Sequence, residues 1–336
     1  MVDIFLILSL IATFFASIIL VDWWIKKANK VGLVGKDMNK LDKAKVAEVG
    51  GLPVLFAFLF GLLIYTGHRT YIQNTPNFHI PILGVISTVL IIGIIGIVDD
   101  ILGWKLGLRQ WQKPLLGLFA ALPLMMTNAG ISTISIPIIG DLNLGFFYPL
   151  IIIPIAITGA ANGFNLLAGY NGLEAGQGVI ILSIMAYISW IIGNPTVTMI
   201  ALIMVAALLG FLFFNRYPSK VFPGDTLTYT VGALIAVLAI IGNMEKVALI
   251  LFIPYFIEVI LLFRAGNTSA DAFAHVHDDG SLDLKYDKIF DTTHAAIVIL
   301  KKFKRKVHEK DVVYMVWGWQ LLFGILAVVY LYILPN

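Results

Sequence analysis

Long apolar runs separated by short polar breaks dominate this chain. Windows of about 20 residues, the length that crosses a hydrocarbon core as a helix, fall at 3–24, 50–66, 80–98, 114–127, 147–166, 177–193, 196–214, 227–243, 246–263 and 312–333. The pattern predicts an all-α integral membrane protein of about ten transmembrane helices, a single polytopic domain over 1–336. Several runs are short or interrupted by Gly and Pro. No small-residue cleavage site follows the first run, so it is expected to remain as a helix. The break at 25–49 ends in Glu48-Val49-Gly50-Gly51-Leu52-Pro53, a tight turn into the second span. Residues 132–136 and 142–144 alternate around Gly140-Asp141, which predicts a small external β-hairpin. The one long polar stretch, 264–311, has a turn at Asp278-Asp279-Gly280. Over 292–308 it sets apolar Ile297, Ile299, Leu300 and Phe303 beside Lys301, Lys302, Lys304, Arg305 and Lys306, which predicts an amphipathic helix on the membrane surface.

Composition agrees: 59% of residues are hydrophobic and 13% charged, which excludes an ordinary soluble globule. There is no cysteine, hence no disulfide, thiolate metal site or cysteine nucleophile. Charge orients the spans. Loops 25–49, 99–113, 167–176, 215–226 and 264–311 hold 7, 3, 0, 2 and 9 Lys and Arg, together 21 of 23, against Arg69 and Lys246 on the other face. The positive-inside rule makes the 21-charge face cytoplasmic and puts both termini outside. The net charge of +3 reflects this anchoring and calls for no nucleic acid.

Every polar motif that interrupts apolar sequence lies on that face. Asp99-Asp100 ends the third run, where two adjacent carboxylates need a metal or a Lys/Arg to offset their repulsion. Arg109-Gln110-Trp111-Gln112-Lys113-Pro114 follows. A second block runs from Asn162 through Asn165, Gly169 and Asn171 to Gly176; amides bind hard cations and read nucleobase edges, and glycines admit close backbone approach. The third is Phe222-Pro223-Gly224-Asp225-Thr226. The fourth is the stretch 264–311 with His275, His277 and His294. Each alone has a plain structural reading: a loop carboxylate pair, helix caps, an N-cap at Asp225, solvated histidines. Four on one face are poorly explained by independent caps. Asp225, Asn165 and water would make a Mg²⁺ site, with Lys113 and Arg109 holding phosphate charge.

In this order the blocks resemble the polyprenyl-phosphate N-acetylhexosamine-1-phosphate transferase family over nearly the whole chain. The asparagine block is similar to the branch serving protein N-glycosylation in eukaryotes and archaea; the bacterial cell-wall branch has aspartates where Ala168 and Asn171 stand. The resemblance implies transfer of a sugar 1-phosphate, GlcNAc-1-phosphate in this branch, from a UDP-N-acetylhexosamine to a polyprenyl or dolichyl phosphate among the membrane lipids, with Mg²⁺ (or Mn²⁺) and release of UMP. It implies Asp225 and Asn165 as metal ligands, Asn171 and Gly169 at uracil, Lys113 at the diphosphate and one of Asp99 and Asp100 at the lipid phosphate. Asn162 and Arg109 join the substrate-binding set, with Glu48 at the position of a glutamate in the eukaryotic branch. The stretch 264–311 lacks the His-rich and Arg-His-Arg motifs of the family, and His294 is the candidate to replace them at the sugar. A muramyl-peptide or pseudomurein-type donor is the alternative with the same chemistry. A transporter, the alternative of another class, needs ionisable groups in mid-span, for which only Glu258 and Asp22 qualify, and no internal repeat is present. A homodimer is left open.

Overall fold

The computed structural model describes residues 3–74, 79–109, 111–136, 140–265 and 272–333. Gln110 and positions 266–271 of the long polar stretch lie outside them. The chain is a helix bundle. Its helices are α1 (Ile4–Val31), α2 (Gly51–Tyr71), α3 (His79–Leu106), α4 (Gln112–Ala120), α5 (Leu122–Met126), α6 (Ile153–Leu166), α7 (Leu173–Ile191), α8 (Pro195–Asn215), α9 (Gly224–Gly242), α10 (Glu245–Leu251), α11 (Ile253–Ala265), α12 (Thr292–Leu300) and α13 (Glu309–Ile333). Among the described residues eight helices, α6 with the π-helical turn before it, are long and apolar enough to span a bilayer, and α10 with α11, bent by 54°, makes a ninth. The expected fourth span is the short pair α4 and α5. The segment still joins both ends of α9: Lys113 of α4 meets Asp225 at its start, while beyond α5 the Ile131 N–H donates to Asn243 Oδ1 just past its end.

Beyond its polar first turns helix α9 is apolar on every side, and it is the most enclosed of the described spans, as expected of a helix with no lipid-facing stripe. It packs against α3, α6 and α2 and, less extensively, against α7 and α8, which pack on each other; α8 also packs on α1. Small residues permit the contact. A Cβ at Gly96 of α3 would lie 2.6 Å from the Thr226 Cα, and one at Gly51 would collide with the Leu227 backbone N.

The expected outer hairpin is present as β3 (Thr133–Ile136) and β4 (Gly140–Asn143), antiparallel. Gly140 and Asp141 pair with Ile136 and Ser135, so they belong to the second strand and not to the turn. A second hairpin was not foreseen: β1 (Val34–Lys36) and β2 (Lys45–Ala47) fold the basic stretch 25–49 onto itself. The helix expected over 292–308 ends at Leu300. Its Thr292, Thr293, His294, Ala296 and Ile297 are buried against α11 and α13, and the basic run 301–306 lies beyond its C-terminus. It is a packed helix and not a surface-lying one.

Candidate functional site

The site is assembled around the first turn of α9. The segment before it is fixed first. Val221 bridges Ala47 of β2 in parallel, the Phe222 N–H donates to Ala47 O at 2.7 Å, and Phe222 O and Pro223 O accept from the N–H groups of Gly50 and Gly51, each at 2.8 Å. Gly224 then turns with φ 68°, and a Cβ there would lie 2.5 Å from Asp100 Oδ2, so both backbone and space require glycine. Asp100 accepts from the Asp225 N–H at 2.7 Å, the Thr226 N–H at 3.0 Å and the Thr226 hydroxyl at 2.6 Å. First-turn amides have no partner within their own helix. Asp100 therefore caps α9 from another helix, with its charge at the positive end of the helix dipole.

Asp99 has different partners. Its Oδ1 accepts from the Leu108 N–H at 2.6 Å, and its Oδ2 lies 2.6 Å from Lys113 Nζ. That ammonium also lies 2.7 Å from Asp225 Oδ2, so one lysine of α4 bridges the carboxylates of α3 and α9. The Asp99, Lys113 and Asp225 side chains stay 12%, 20% and 21% exposed, accessible to a ligand. Tyr229, one turn along α9, sets its ring 5.7 Å from Lys113 Nζ. Asn165 reaches the same turn through the Thr228 hydroxyl, which donates to its Oδ1 at 2.7 Å. Glu48, between β2 and α2, is half-buried; desolvation first, and then the Asp100 charge, push its carboxyl above the ordinary glutamate value.

A second polar constellation adjoins this one. Asn171 is buried; its Oδ1 accepts from the Ser219 N–H at 2.6 Å, its Nδ2 donates to Asp37 Oδ2 at 3.1 Å and its N–H to Glu309 Oε1 at 2.7 Å. Lys40 lies 2.5 Å from Glu309 Oε2 and 3.2 Å from Asp37 Oδ2. Burial alone would lower the Lys40 ammonium, but the Glu309 and Asp37 carboxylates raise it above the ordinary lysine value. The Asn39 side chain donates to Gly169 O at 3.4 Å and accepts from the Ala274 N–H at 3.2 Å. Gly169 is exposed, and the Phe273 ring would meet a Cβ placed on it at 3.4 Å. The 25–49 hairpin thus ties together the glycine loop, the start of α13 and the segment after 271.

Three expected residues stand apart. Asn162 donates to Thr158 O of its own helix at 2.8 Å. Arg109 is exposed; its N–H takes the Gln112 side-chain oxygen at 2.8 Å, and its guanidinium has no ion-pair partner among the described residues. His294 requires correction. It is fully buried in α12, both ring nitrogens lacking a hydrogen-bond partner among the described residues, and a ring with no exposed surface cannot contact a sugar from the cytosol. Sequence reasoning missed Asp37, Asn39, Lys40, Glu309, Thr228 and Tyr229. Thr228 and Tyr229 carried a signal, polar groups one turn into an apolar run. The others were hidden in charged stretches.

The donor chemistry fits a hard divalent cation. Asp99 and Asp225 share one ammonium and Asp100 caps the same turn of α9, which leaves a negative surplus of carboxylate oxygens. Among the described residues no set of three or more His, Cys, Asp or Glu is arranged around one metal position. Mg²⁺ suits such a place, because it binds through one or two carboxylates and keeps water and substrate phosphate oxygens for the rest.

Residues 82–243 match the family described as glycosyl transferase family 4. A Saccharolobus solfataricus protein, named provisionally as a UDP-N-acetylglucosamine–dolichyl-phosphate N-acetylglucosaminephosphotransferase, is 38% identical over 96% of each chain. A Schizosaccharomyces pombe protein of that name is 28% identical over 67% of this chain and 59% of its own. A phospho-N-acetylmuramoyl-pentapeptide-transferase of Streptococcus thermophilus is 32% identical over 69% of this chain and 70% of its own.

Proposed function

The chain belongs to glycosyl transferase family 4, and we propose that it transfers N-acetylglucosamine 1-phosphate from UDP-GlcNAc to a polyprenyl or dolichyl phosphate, releasing UMP. The observation that carries this reading is the Asp99–Lys113–Asp225 cluster at the ends of spanning helices. A water-soluble nucleotide and a membrane-bound phosphate meet only at such a depth. In the proposed step an oxygen of the lipid phosphate attacks the β-phosphorus of the donor. The bond from that phosphorus to the bridging oxygen breaks, and the bridging oxygen leaves with UMP.

Phosphoryl transfer of this kind is mainly positioning and charge neutralisation. Lys113 would hold the diphosphate, with exposed Arg109 at its edge. Asp225, with Asn165 beside it, would hold Mg²⁺, or Mn²⁺ in its place. When bound, the metal supplies charge neutralisation at the diphosphate. Asp100 is committed to the α9 backbone, so Asp99 is the aspartate assigned to the lipid phosphate. A phosphate monoester with a second pKa near ~6 is mostly dianionic at neutral pH, so Asp99 orients the nucleophile without having to deprotonate it. Gly169, Asn171 and Phe273 are assigned to the uridine side. In this reading the site faces the cytoplasm and both termini lie outside, as the Lys and Arg distribution favours.

The test incubates the purified protein in lipid with polyprenyl phosphate, Mg²⁺ and either UDP-GlcNAc or UDP-N-acetylmuramoyl-pentapeptide, and measures UMP. Release with UDP-GlcNAc, lost on removal of Mg²⁺ or of the lipid phosphate, is expected. Release with the muramyl donor alone would replace the proposed substrate, and release with neither would end the proposal.

A further inference from the structure

A groove separate from the cluster just described opens at the same end of the bundle, between the last turn of α8 and the first turns of α13. Its volume is about 580 Å³, and its lining includes Phe213, Arg216, Tyr217, Lys220, Lys310 and Tyr314. We propose that it holds the headgroup of an anionic membrane phospholipid, a binding site beyond the transferase reading that borders the uridine side at Asn171.

Charge is the first argument. Arg216, Lys220 and Lys310 are exposed, and among the described residues none of them forms an ion pair. The acidic neighbours of Lys310 are taken. Glu309 is bound to Lys40 and to the Asn171 N–H, and Asp311 lies 2.5 Å from Lys304. Three cations therefore converge on one cavity with no carboxylate to balance them. Scattered lysines of a positive-inside loop point into water; these share a concave surface whose back wall is Asn171 and Gly172.

The apolar part of the lining is the second argument. The Tyr217 ring lies 4.8 Å from Lys310 Nζ, and the Phe213 ring 5.4 Å from the Arg216 guanidinium. Phe213 and Tyr314 keep 56% and 61% of their surface exposed. Trp317 is held in place, its indole N–H donating to Leu173 O at 3.1 Å. Aromatic rings at this depth sit at the headgroup level of a bilayer, and basic pockets between helices at the cytoplasmic side bind anionic headgroups. An anionic phospholipid satisfies both halves at once, phosphate against the cations and acyl chains along Phe213 and Tyr314. A second copy of the chain does not, because a two-fold contact on this face would set like charges against each other.

The test reconstitutes the full chain in mixed phosphatidylcholine and phosphatidylglycerol vesicles, extracts it gently into detergent, and measures the co-purifying lipid by native mass spectrometry. The protein is expected to carry phosphatidylglycerol in excess of its share in the vesicle. R216Q/K220Q/K310Q should carry on the order of a hundredfold less, and each single variant about fivefold less, since one basic residue at the surface contributes about 1 kcal/mol. R216K/K220R/K310R should keep the lipid, as should K302Q/R305Q, whose charges lie outside the groove. Should the triple variant fail to fold, the single variants give the same reading. Equal phosphatidylglycerol in all variants, or no preference over phosphatidylcholine, overturns the proposal. So does a dimer mass that the triple substitution abolishes while no lipid is retained.

Discussion

Replacing Asp100 with alanine removes three hydrogen bonds at once, from the Asp225 N–H, the Thr226 N–H and the Thr226 hydroxyl. Hydrogen bonds to a charged acceptor contribute about 1.5–3 kcal/mol each, and bonds sharing one acceptor do not add fully. A loss of roughly 3–5 kcal/mol is expected, which includes two first-turn amides left without a partner. For 336 residues an unfolding entropy of about 2 cal/mol/K per residue converts this to a drop of roughly 4–7 °C in apparent melting temperature. Replacing Asp99 with alanine leaves Lys113 paired with Asp225 in a partly exposed cluster. That should cost about 1–2 kcal/mol, or roughly 1–3 °C. Activity should separate the pair in the other direction: UMP release falls about a hundredfold or more in Asp99→Ala, with the protein still folded. Melting followed by tryptophan fluorescence in detergent, beside turnover on the same samples, reads both. If Asp99→Ala melted as early as Asp100→Ala, or if Asp100→Ala left the melting point unchanged, the division of labour argued above would be wrong.

Asp225→Asn should lower UMP release by orders of magnitude and shift the Mg²⁺ titration to higher concentration, while near-normal turnover with an unchanged titration would remove Asp225 as a metal ligand. Asn171→Ala leaves the Ser219 N–H buried without an acceptor and should destabilise the protein by about 1–3 kcal/mol; it should also raise KM for UDP-GlcNAc more than for polyprenyl phosphate, and unchanged stability would refute the brace. Glu48 has its carboxyl raised in the folded state, so the contribution of that group is fully present below the ordinary glutamate range and is lost as pH rises through the raised value. Glu48→Gln should therefore match the parent at low pH and melt later than it at neutral pH; parallel melting profiles at all pH values would contradict the shift. The chain has no cysteine, so Phe146→Cys should react with an impermeant thiol reagent applied to intact cells and Asp287→Cys should not, the reverse pattern inverting the orientation.

The spans were legible because bilayer thickness imposes one length on every crossing. The site was legible to the extent that its residues interrupt apolar runs. Asp99, Asp100 and Asp225 stood out, and Lys113 could be paired with them by side of the membrane. What one dimension does not carry is direction. Adjacent aspartates on a helix point about 100° apart, and only the packing of α3 on α9 shows that Asp100 caps a helix while Asp99 meets the lysine. The 25–49 hairpin was hidden for another reason. Its strands are three residues each, too short for an alternation to register, and they exist because Val221 and Phe222 complete their bonding. His294 misled because a histidine beside a basic run looks solvated, although Ala296 and Ile297 of the same helix carry it into the interior.

The close contacts at Gly51 and Gly96 have a mechanical consequence. They fasten three helices backbone to backbone at one level, beside the reactive groups. A bilayer thicker or thinner than the apolar length makes spanning helices tilt. Here the tilt has a fulcrum: the inner ends are clamped, so the angular change is taken up at the far side, where α2 and α3 are farthest from the clamp. The molecule can follow the thickness of its membrane as a tripod follows uneven ground, its feet moving while its head keeps level.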